Sequence, residues 1–236
     1  MICAQPGRAA QATLSDVQCP DADVTIAVLG DSLADGIWGA FWRSFSRCGT
    51  VEVMRSTTVS DGLAHSGPES WLSKLGGVKP DLTVLSIGAN DLVNMREGRT
   101  RFIYGQADWK EEYTRRANQL ASSLNTVSDS VVWLGLPVVG RRDLEQSYRE
   151  VTELQERAAT EAGVRYVDTH MATTFGQGKF VMTANVGGSP RQLRHSDQVH
   201  FTEIGYDLVA GLMRRQVADT FERASRDASM RSLVLQ

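Results

Sequence analysis

The sequence has few cysteines and prolines and no long apolar run, and each of these absences excludes a class of protein. Three Cys and six Pro in 236 residues are too few for a dense disulfide scaffold or a proline-rich disordered chain. The longest apolar stretch, 131–140, already contains one Pro and two Gly, whereas a membrane-spanning helix needs roughly 18–20 apolar residues. We therefore predict no integral membrane segment.

An excess of charge of one sign is also missing. The 25 Lys and Arg against 28 Asp and Glu give a net charge of −3, and the basic residues are scattered, so we predict no nucleic-acid partner. The remaining composition is typical of a globular protein whose core is large enough to need no metal. We predict one domain at 23–222, a disordered or processed segment at 1–22 and a C-terminal tail at 223–236.

The cellular location depends on weaker signals near the amino terminus. Ala10-Gln11-Ala12 resembles a small-residue cleavage site, although no apolar signal-peptide core is visible in this sequence. Cys19 and Cys48 flank the first predicted strand and helix, so a disulfide suited to an oxidising compartment and a pair of free thiols are both compatible with the sequence. We predict a periplasmic or secreted protein, with the cytoplasm as the alternative.

Short apolar runs alternate with helical patterns along the chain. Because the runs are continuously apolar, they indicate a parallel sheet covered by helices on both faces. The irregular stretch 169–200 is long for a simple connection, which favours a functional loop. The predicted strands are 24–29, 51–55, 82–87, 131–136 and 164–167, and the predicted helices are 33–47, 109–124, 144–162 and one that begins at Thr202.

Three polar motifs lie where the chain leaves a predicted strand or enters the last helix. They are Gly-Asp-Ser-Leu at 30–33, Gly-Ala-Asn-Asp at 88–91 and Asp-Gln-Val-His at 197–200. Ligands of parallel sheets bind at the carboxyl ends of the strands. Each motif alone is common as a helix cap or a turn, but the three together indicate a site.

The motifs contain the groups that acyl transfer requires. The hydroxyl of Ser32 lies at the start of a helix and needs a base to become nucleophilic. Asp197 stands three residues before His200, where a carboxylate can hold the imidazole so that its other nitrogen faces the serine. Asn90 adds a side-chain amide at the same edge.

These motifs resemble those of the SGNH hydrolases, the GDSL esterase/lipase family, and the resemblance extends from about Val24 to Val217. It implies a flavodoxin-like three-layer α/β/α sandwich with a five-stranded parallel sheet. It also implies that Ser32 is the nucleophile, His200 the general base and acid, and Asp197 the group that orients His200.

The resemblance further implies an oxyanion hole. Its donors would be the N–H of Ser32, the side-chain amide of Asn90 and the N–H of a glycine after the second strand. Gly62 matches that position best and Gly67 less well. The first and last motifs are similar to a little-characterised bacterial branch, which is often exported and associated with envelope polysaccharides.

Three further residues are assigned to substrate binding. Asp31 adjoins Ser32, and its alternative role is hydrogen bonding to the loop backbone. Trp38 lies in the first helix, near enough to line a substrate pocket. His195 would lie at the rim of that pocket. A minor alternative takes His195, Asp197 and His200 as ligands of a metal, but we predict no metal and no cofactor.

We therefore predict a serine esterase that removes a short acyl group, O-acetyl, from a carbohydrate or cell-envelope polysaccharide. The first alternative is an O-acyltransferase, in which a sugar hydroxyl instead of water takes the acyl group from Ser32. The second is a non-catalytic polysaccharide-binding protein on the same fold. The oligomeric state is left open.

Overall fold

The computed structural model describes residues 13–234, with side chains described as far as residue 232. The prediction for residues 1–12 lies outside this range. The strands are β1 Val24–Gly30, β2 Val51–Thr57, β3 Leu82–Ser86, β4 Met95–Glu97, β5 Thr100–Phe102, β6 Val131–Leu134, β7 Arg165–Val167, β8 Thr183–Val186 and β9 Ser189–Gln192. The helices are α1 Ser32–Phe45, α2 Leu63–Ser73, α3 Ala107–Val127, α4 Arg142–Glu161, α5 Thr169–Ala172, α6 Glu203–Gly211 and α7 Arg214–Val234.

The main sheet confirms the predicted fold class. Five parallel strands pair in the order β2-β1-β3-β6-β7. Side chains alternate between two cores: Ala27 and Leu29 pack with α2, α3 and α4, whereas Ile26 and Val28 pack with α1, α6 and α7. The central strands are continuously apolar because both of their faces are covered. The carboxyl ends of β1 and β3 therefore meet at one edge.

Two small hairpins were not predicted, β4–β5 after the third strand and β8–β9 within the irregular stretch. Both are short and largely exposed, so they lack the apolar alternation by which a strand is found in a sequence. Among the helices between residues 13 and 234, none is both long and apolar enough to cross a membrane.

The folded part extends beyond the predicted domain limits at both ends. Leu14 is 1% exposed and packs in the core that α1 also lines, so residues 13–22 belong to the domain. At the other end α7 continues to Val234, and the predicted boundary at 223 falls inside a helix. Single apolar side chains such as Leu14 produce no periodic pattern, which is why the sequence did not reveal this packing.

A disulfide joins Cys19 to Cys48 and decides between the two alternatives left open by the sequence. It ties the segment before β1 to the turn after α1 and closes a loop between residues 29 positions apart. In the chain-entropy model, closing a loop of this length stabilises the fold by about 3–4 kcal/mol.

We expect the double variant Cys19→Ala/Cys48→Ala to lose about 3 kcal/mol of unfolding free energy, because its unfolded chain regains that loop entropy. Urea unfolding under non-reducing conditions measures the loss. The unfolding midpoint of wild-type protein treated with a reductant should fall in the same way. Equal unfolding midpoints for variant and wild type would contradict the prediction.

Candidate active site

The structure brings Ser32, His200 and Asp197 into one hydrogen-bonded chain. His200 Nε2 lies 2.8 Å from Ser32 Oγ, and His200 Nδ1 lies 2.7 Å from Asp197 Oδ2. A carboxylate can only accept, so Nδ1–H donates to Asp197 and Nε2 is left to accept from the serine hydroxyl. This arrangement can take a proton from Ser32.

Asp197 is itself held by the backbone that follows it. Its Oδ1 accepts from the N–H groups of Val199, at 2.9 Å, and His200, at 3.0 Å. Burial raises the pKa of Asp197, but the hydrogen bonds from Val199 and His200 outweigh that effect and lower it below its usual value. The carboxylate therefore stays ionised and fixes the imidazole.

The close approach of β1 and β3 places Ser32 at this edge. Gly30 ends β1 with φ +141°, and a Cβ there would lie 1.7 Å from the carbonyl oxygen of Ser86. Only glycine fits such a contact, which is why the turn into α1 is possible at this point. Ser32 follows as the first residue of α1.

Asp31 does not bind substrate, because its carboxylate is fully buried and accepts only from backbone. Oδ1 accepts from Leu33 N–H at 2.9 Å and caps α1; Oδ2 accepts from Gly88 and Ala89 N–H at 3.0 and 2.9 Å. Burial raises the pKa of Asp31 to about 6, although these three bonds lower it. The assignment to substrate binding was wrong, and its alternative, hydrogen bonding to loop backbone, is what the structure shows.

Asn90 and Gly62 lie beside each other at the same edge. One amide hydrogen of Asn90 donates to the carbonyl oxygen of Asp61 at 3.0 Å, which leaves its second hydrogen for another acceptor. The N–H of Gly62 donates to its neighbour's carboxylate, Asp61 Oδ1, at 2.7 Å. An oxyanion would have to replace that carboxylate, so the role of Gly62 stays a prediction.

A buried network behind Asn90 was not predicted. Asp91 accepts from Ala64 N–H at 2.9 Å and from the Tyr113 hydroxyl at 2.7 Å, and Gln155 donates to Tyr113 at 2.9 Å. Burial, with the charges of Asp31 and Asp61 adding to it, raises the pKa of Asp91 to about 7. Tyr113 and Gln155 come from α3 and α4, so no local motif pointed to them.

Gly62 is required by the nearness of Asp91, since a Cβ at this position would lie 2.1 Å from Asp91 Oδ1. We expect Gly62→Ala to push Asp91 and the adjoining Asn90 away and to lower any turnover at Ser32 about tenfold or more, as small misplacements in a site can do. Gly49→Ala is the matched control because its Cβ would meet no atom within 4 Å. Equal turnover in both variants would contradict this reading.

Trp38 does not line the site, contrary to prediction. Its indole N–H donates to the carbonyl oxygen of Val53 at 3.1 Å, and the guanidinium of Arg55 lies 4.9 Å from the ring centroid. Val53 is four residues before the end of β2, about 13 Å below the edge that carries Ser32. The prediction failed because the helix turns this ring toward the edge strand.

His195 is exposed and lies on the same loop as His200, to whose carbonyl its N–H donates at 2.9 Å. Its binding of substrate stays a prediction. In residues 13–234 no three His, Cys, Asp or Glu side chains gather as metal ligands. The two ring nitrogens of His200 face Asp197 and Ser32, so the metal alternative would have to displace one of them.

Several solved structures superpose on this chain over most of its length. A lipase/acylhydrolase from Enterococcus faecalis superposes with a TM-score of 0.59 at 19% identity, covering 83% of this chain and 96% of that one. The acetylxylan esterase Axe2 from Geobacillus stearothermophilus gives 0.56 at 14% identity, covering 84% and 95%. LAE5, an alpha/beta hydrolase enzyme from the metagenome of Lake Arreo, Spain, gives 0.57 at 16% identity, covering 84% and 96%.

These superpositions establish the fold, which is that of the SGNH hydrolases, as the motifs predicted. No curated protein matches the chain. Residues 25–216, most of the folded part, match the family DUF459, whose description is "Protein of unknown function". The chain therefore belongs to the DUF459 family and has the SGNH hydrolase fold.

Proposed function

We propose that this protein is a serine esterase that hydrolyses short acyl esters, with O-acetyl groups on a carbohydrate or cell-envelope polysaccharide as its substrate. The observation that carries the proposal is the continuous chain from Ser32 Oγ through His200 to Asp197, with contacts of 2.8 and 2.7 Å. That geometry is the one by which an adjacent base activates a serine hydroxyl as a nucleophile.

In the first half of the reaction His200 Nε2 takes the proton of Ser32 as Oγ attacks the ester carbonyl carbon. Asp197 stabilises the imidazolium that forms, and His200 returns the proton to the departing alcohol. The acyl group is then bound to Ser32 Oγ as an ester. A water molecule, deprotonated by His200 in turn, releases the acid and restores the serine.

The charge that develops on the carbonyl oxygen needs donors already in place. Ser32 is the first residue of α1, where backbone N–H groups have no partner within the helix. The free amide hydrogen of Asn90 supplies a second donor. Asp31, by accepting from both the α1 turn and the β3 loop, keeps these two donors at a fixed separation.

The similar proteins support both the reaction and the acyl group. Axe2 is an acetylxylan esterase, and its catalytic mutants replace a serine or a histidine by alanine. Exposed arginines stand on the segments that follow β6 and β3: Arg141 and Arg142 after β6, and the arginines of the β4–β5 hairpin after β3. Such a surface suits a sugar polymer better than a long acyl chain.

The test is burst kinetics with p-nitrophenyl acetate, comparing wild type with Ser32→Ala, in the presence and absence of a soluble oligosaccharide. Turnover that requires Ser32 and releases free acetate supports the esterase. If acetyl groups appear on the oligosaccharide instead, the esterase proposal gives way to the O-acyltransferase alternative. Absence of Ser32-dependent turnover on this ester and on acetylated xylo-oligosaccharide would overturn it in favour of a binding protein.

We also propose that the protein works in an oxidising compartment, the periplasm or the cell exterior. The disulfide between Cys19 and Cys48 supports this, because such bonds rarely persist in a reducing cytoplasm. Fractionation of the source cells, with thiol labelling before and after reduction, tests it. A cytoplasmic protein with both thiols free would contradict it.

A further inference from the structure

Arg194 is a fully buried arginine directly before the histidine loop, which we define as residues 195–200. Its Nη1 donates to the carbonyl oxygen of Val199 at 2.7 Å and its Nη2 to that of Val138, also at 2.7 Å. Val199 immediately precedes His200, and Val138 belongs to the segment after β6. One guanidinium thus joins the histidine loop to a neighbouring segment.

The surroundings of this cation are unusual for a side chain with only a packing role. Its guanidinium carbon lies 3.6 Å from the ring centroid of Phe201 and 5.4 Å from that of Phe180. No carboxylate of the described side chains lies within 4.0 Å of it. Burial lowers the pKa of Arg194 to about 9, so the group is still charged at neutral pH. A buried, unpaired charge is costly, and an apolar side chain would fill the same space at less cost.

One further hydrogen bond holds the same loop to the same segment: Gly140 N–H donates to the carbonyl oxygen of Gln198 at 3.1 Å. The two residues lie so close that a Cβ on Gly140 would come within 2.4 Å of Gln198 Oε1. Gln198 adopts φ +62°, a left-handed conformation that few non-glycine residues take without support. The histidine loop is therefore held in a shape that its own backbone does not prefer.

The base of the histidine loop is closed by backbone pairing on either side of the arginine. His195 N–H donates to the carbonyl oxygen of His200 at 2.9 Å, and Thr202 N–H to that of Leu193 at 3.0 Å. These bonds set the width of the loop but leave its direction open. Among the hydrogen bonds of the described residues, those of Arg194 and Gly140 tie it to the β6 side of the site, and the side chain of Val199 packs in the same core as Leu136 and Val139.

We propose that Arg194 is a positioning residue, whose guanidinium holds the histidine loop against the segment after β6 so that His200 Nε2 stays within hydrogen-bond distance of Ser32 Oγ. The proposal rests on the proposed esterase reaction. Arg194 itself touches no substrate: both of its hydrogen-bonded groups end on backbone carbonyls inside the protein. Its effect on turnover passes entirely through the placement of His200.

Arg194→Lys keeps the charge but places one ammonium where two carbonyl oxygens need separate donors. We expect kcat for p-nitrophenyl acetate to fall at least tenfold in this variant and further in Arg194→Gln, while KM changes less than about twofold, since a small shift of a catalytic group slows chemistry more than binding. Guanidinium ion at millimolar concentration should restore part of the kcat lost in Arg194→Ala.

A merely structural arginine would lower stability without this pattern. Phe45→Leu is the control: Phe45 is fully buried against Phe221 at the far end of α1, about 20 Å from Ser32. We expect it to lower the melting temperature and leave kcat unchanged. An Arg194→Lys variant that is folded, similarly destabilised and as active as wild type would overturn the proposal.

A second readout needs no activity. The ¹⁵N NMR shift of His200 Nε2, which accepts from the Ser32 hydroxyl in wild type, should move in folded Arg194→Gln toward its position in Ser32→Ala, where that hydroxyl is missing. A wild-type Nε2 shift in Arg194→Gln, with Ser32→Ala clearly displaced, would overturn the proposal. If wild type shows no Ser32-dependent turnover, the esterase assignment fails, and this signal still decides whether Arg194 places His200.

Discussion

Replacing Ser32 by alanine is expected to lower kcat for ester hydrolysis roughly 10⁴- to 10⁶-fold, the range found when the nucleophile of a serine–histidine pair is removed. Without Oγ there is no atom to carry the acyl group, and only the oxyanion donors remain to accelerate direct attack by water. His200→Ala should cost about as much, because the hydroxyl that it leaves behind keeps its proton.

The two substitutions act on one unit, so we expect the double variant Ser32→Ala/His200→Ala to be no slower than either single variant. Steady-state rates with p-nitrophenyl acetate, on protein whose melting temperature is checked, measure this. Turnover in Ser32→Ala within tenfold of wild type would contradict the assignment of the nucleophile. Asp197→Asn should leave more residual activity, because the imidazole keeps its place while losing the preferred tautomer.

The parts of the site that could be predicted are those in which sequence order and spatial order coincide. Ser32 and Asn90 follow the adjacent central strands β1 and β3, and strands that are apolar on both faces are recognisable from sequence. The pair Asp197–His200 lies within four residues, so its geometry is largely local. For these residues, the rule that parallel strands gather their ends at one edge was sufficient.

The supporting residues could not be predicted because their partners are distant and chemically unremarkable. Arg194 binds two backbone carbonyls, which carry no side-chain signature. Tyr113 and Gln155 lie on buried helix faces, where the sequence does not distinguish them from residues that only pack in the core. Trp38 was misplaced for the related reason that a helical period shows which residues share a face but does not tell which neighbouring element that face meets.

Asn90→Ala is expected to lower kcat about 10²- to 10³-fold with little change in KM, the cost typical of losing one oxyanion donor. If, as proposed, the second amide hydrogen of Asn90 donates to the carbonyl oxygen as charge develops there, it stabilises the transition state and not the bound ester. Asn125→Ala, which removes an exposed amide bonded to the Ala162 carbonyl, is the control and should change neither constant.

A confounding effect of Asn90→Ala is the loss of the bond to Asp61, which could loosen the loop that carries Gly62. Ser66→Ala separates the two effects: it removes the hydrogen bonds from the Ser66 hydroxyl to the Asp61 carboxylate, which also hold this loop, and leaves the amide of Asn90 in place. We expect its kcat to stay within about tenfold of wild type, well above that of Asn90→Ala. A rise in KM with unchanged kcat in Asn90→Ala would make Asn90 a substrate-binding residue, and the oxyanion would then depend on the backbone N–H groups at the start of α1.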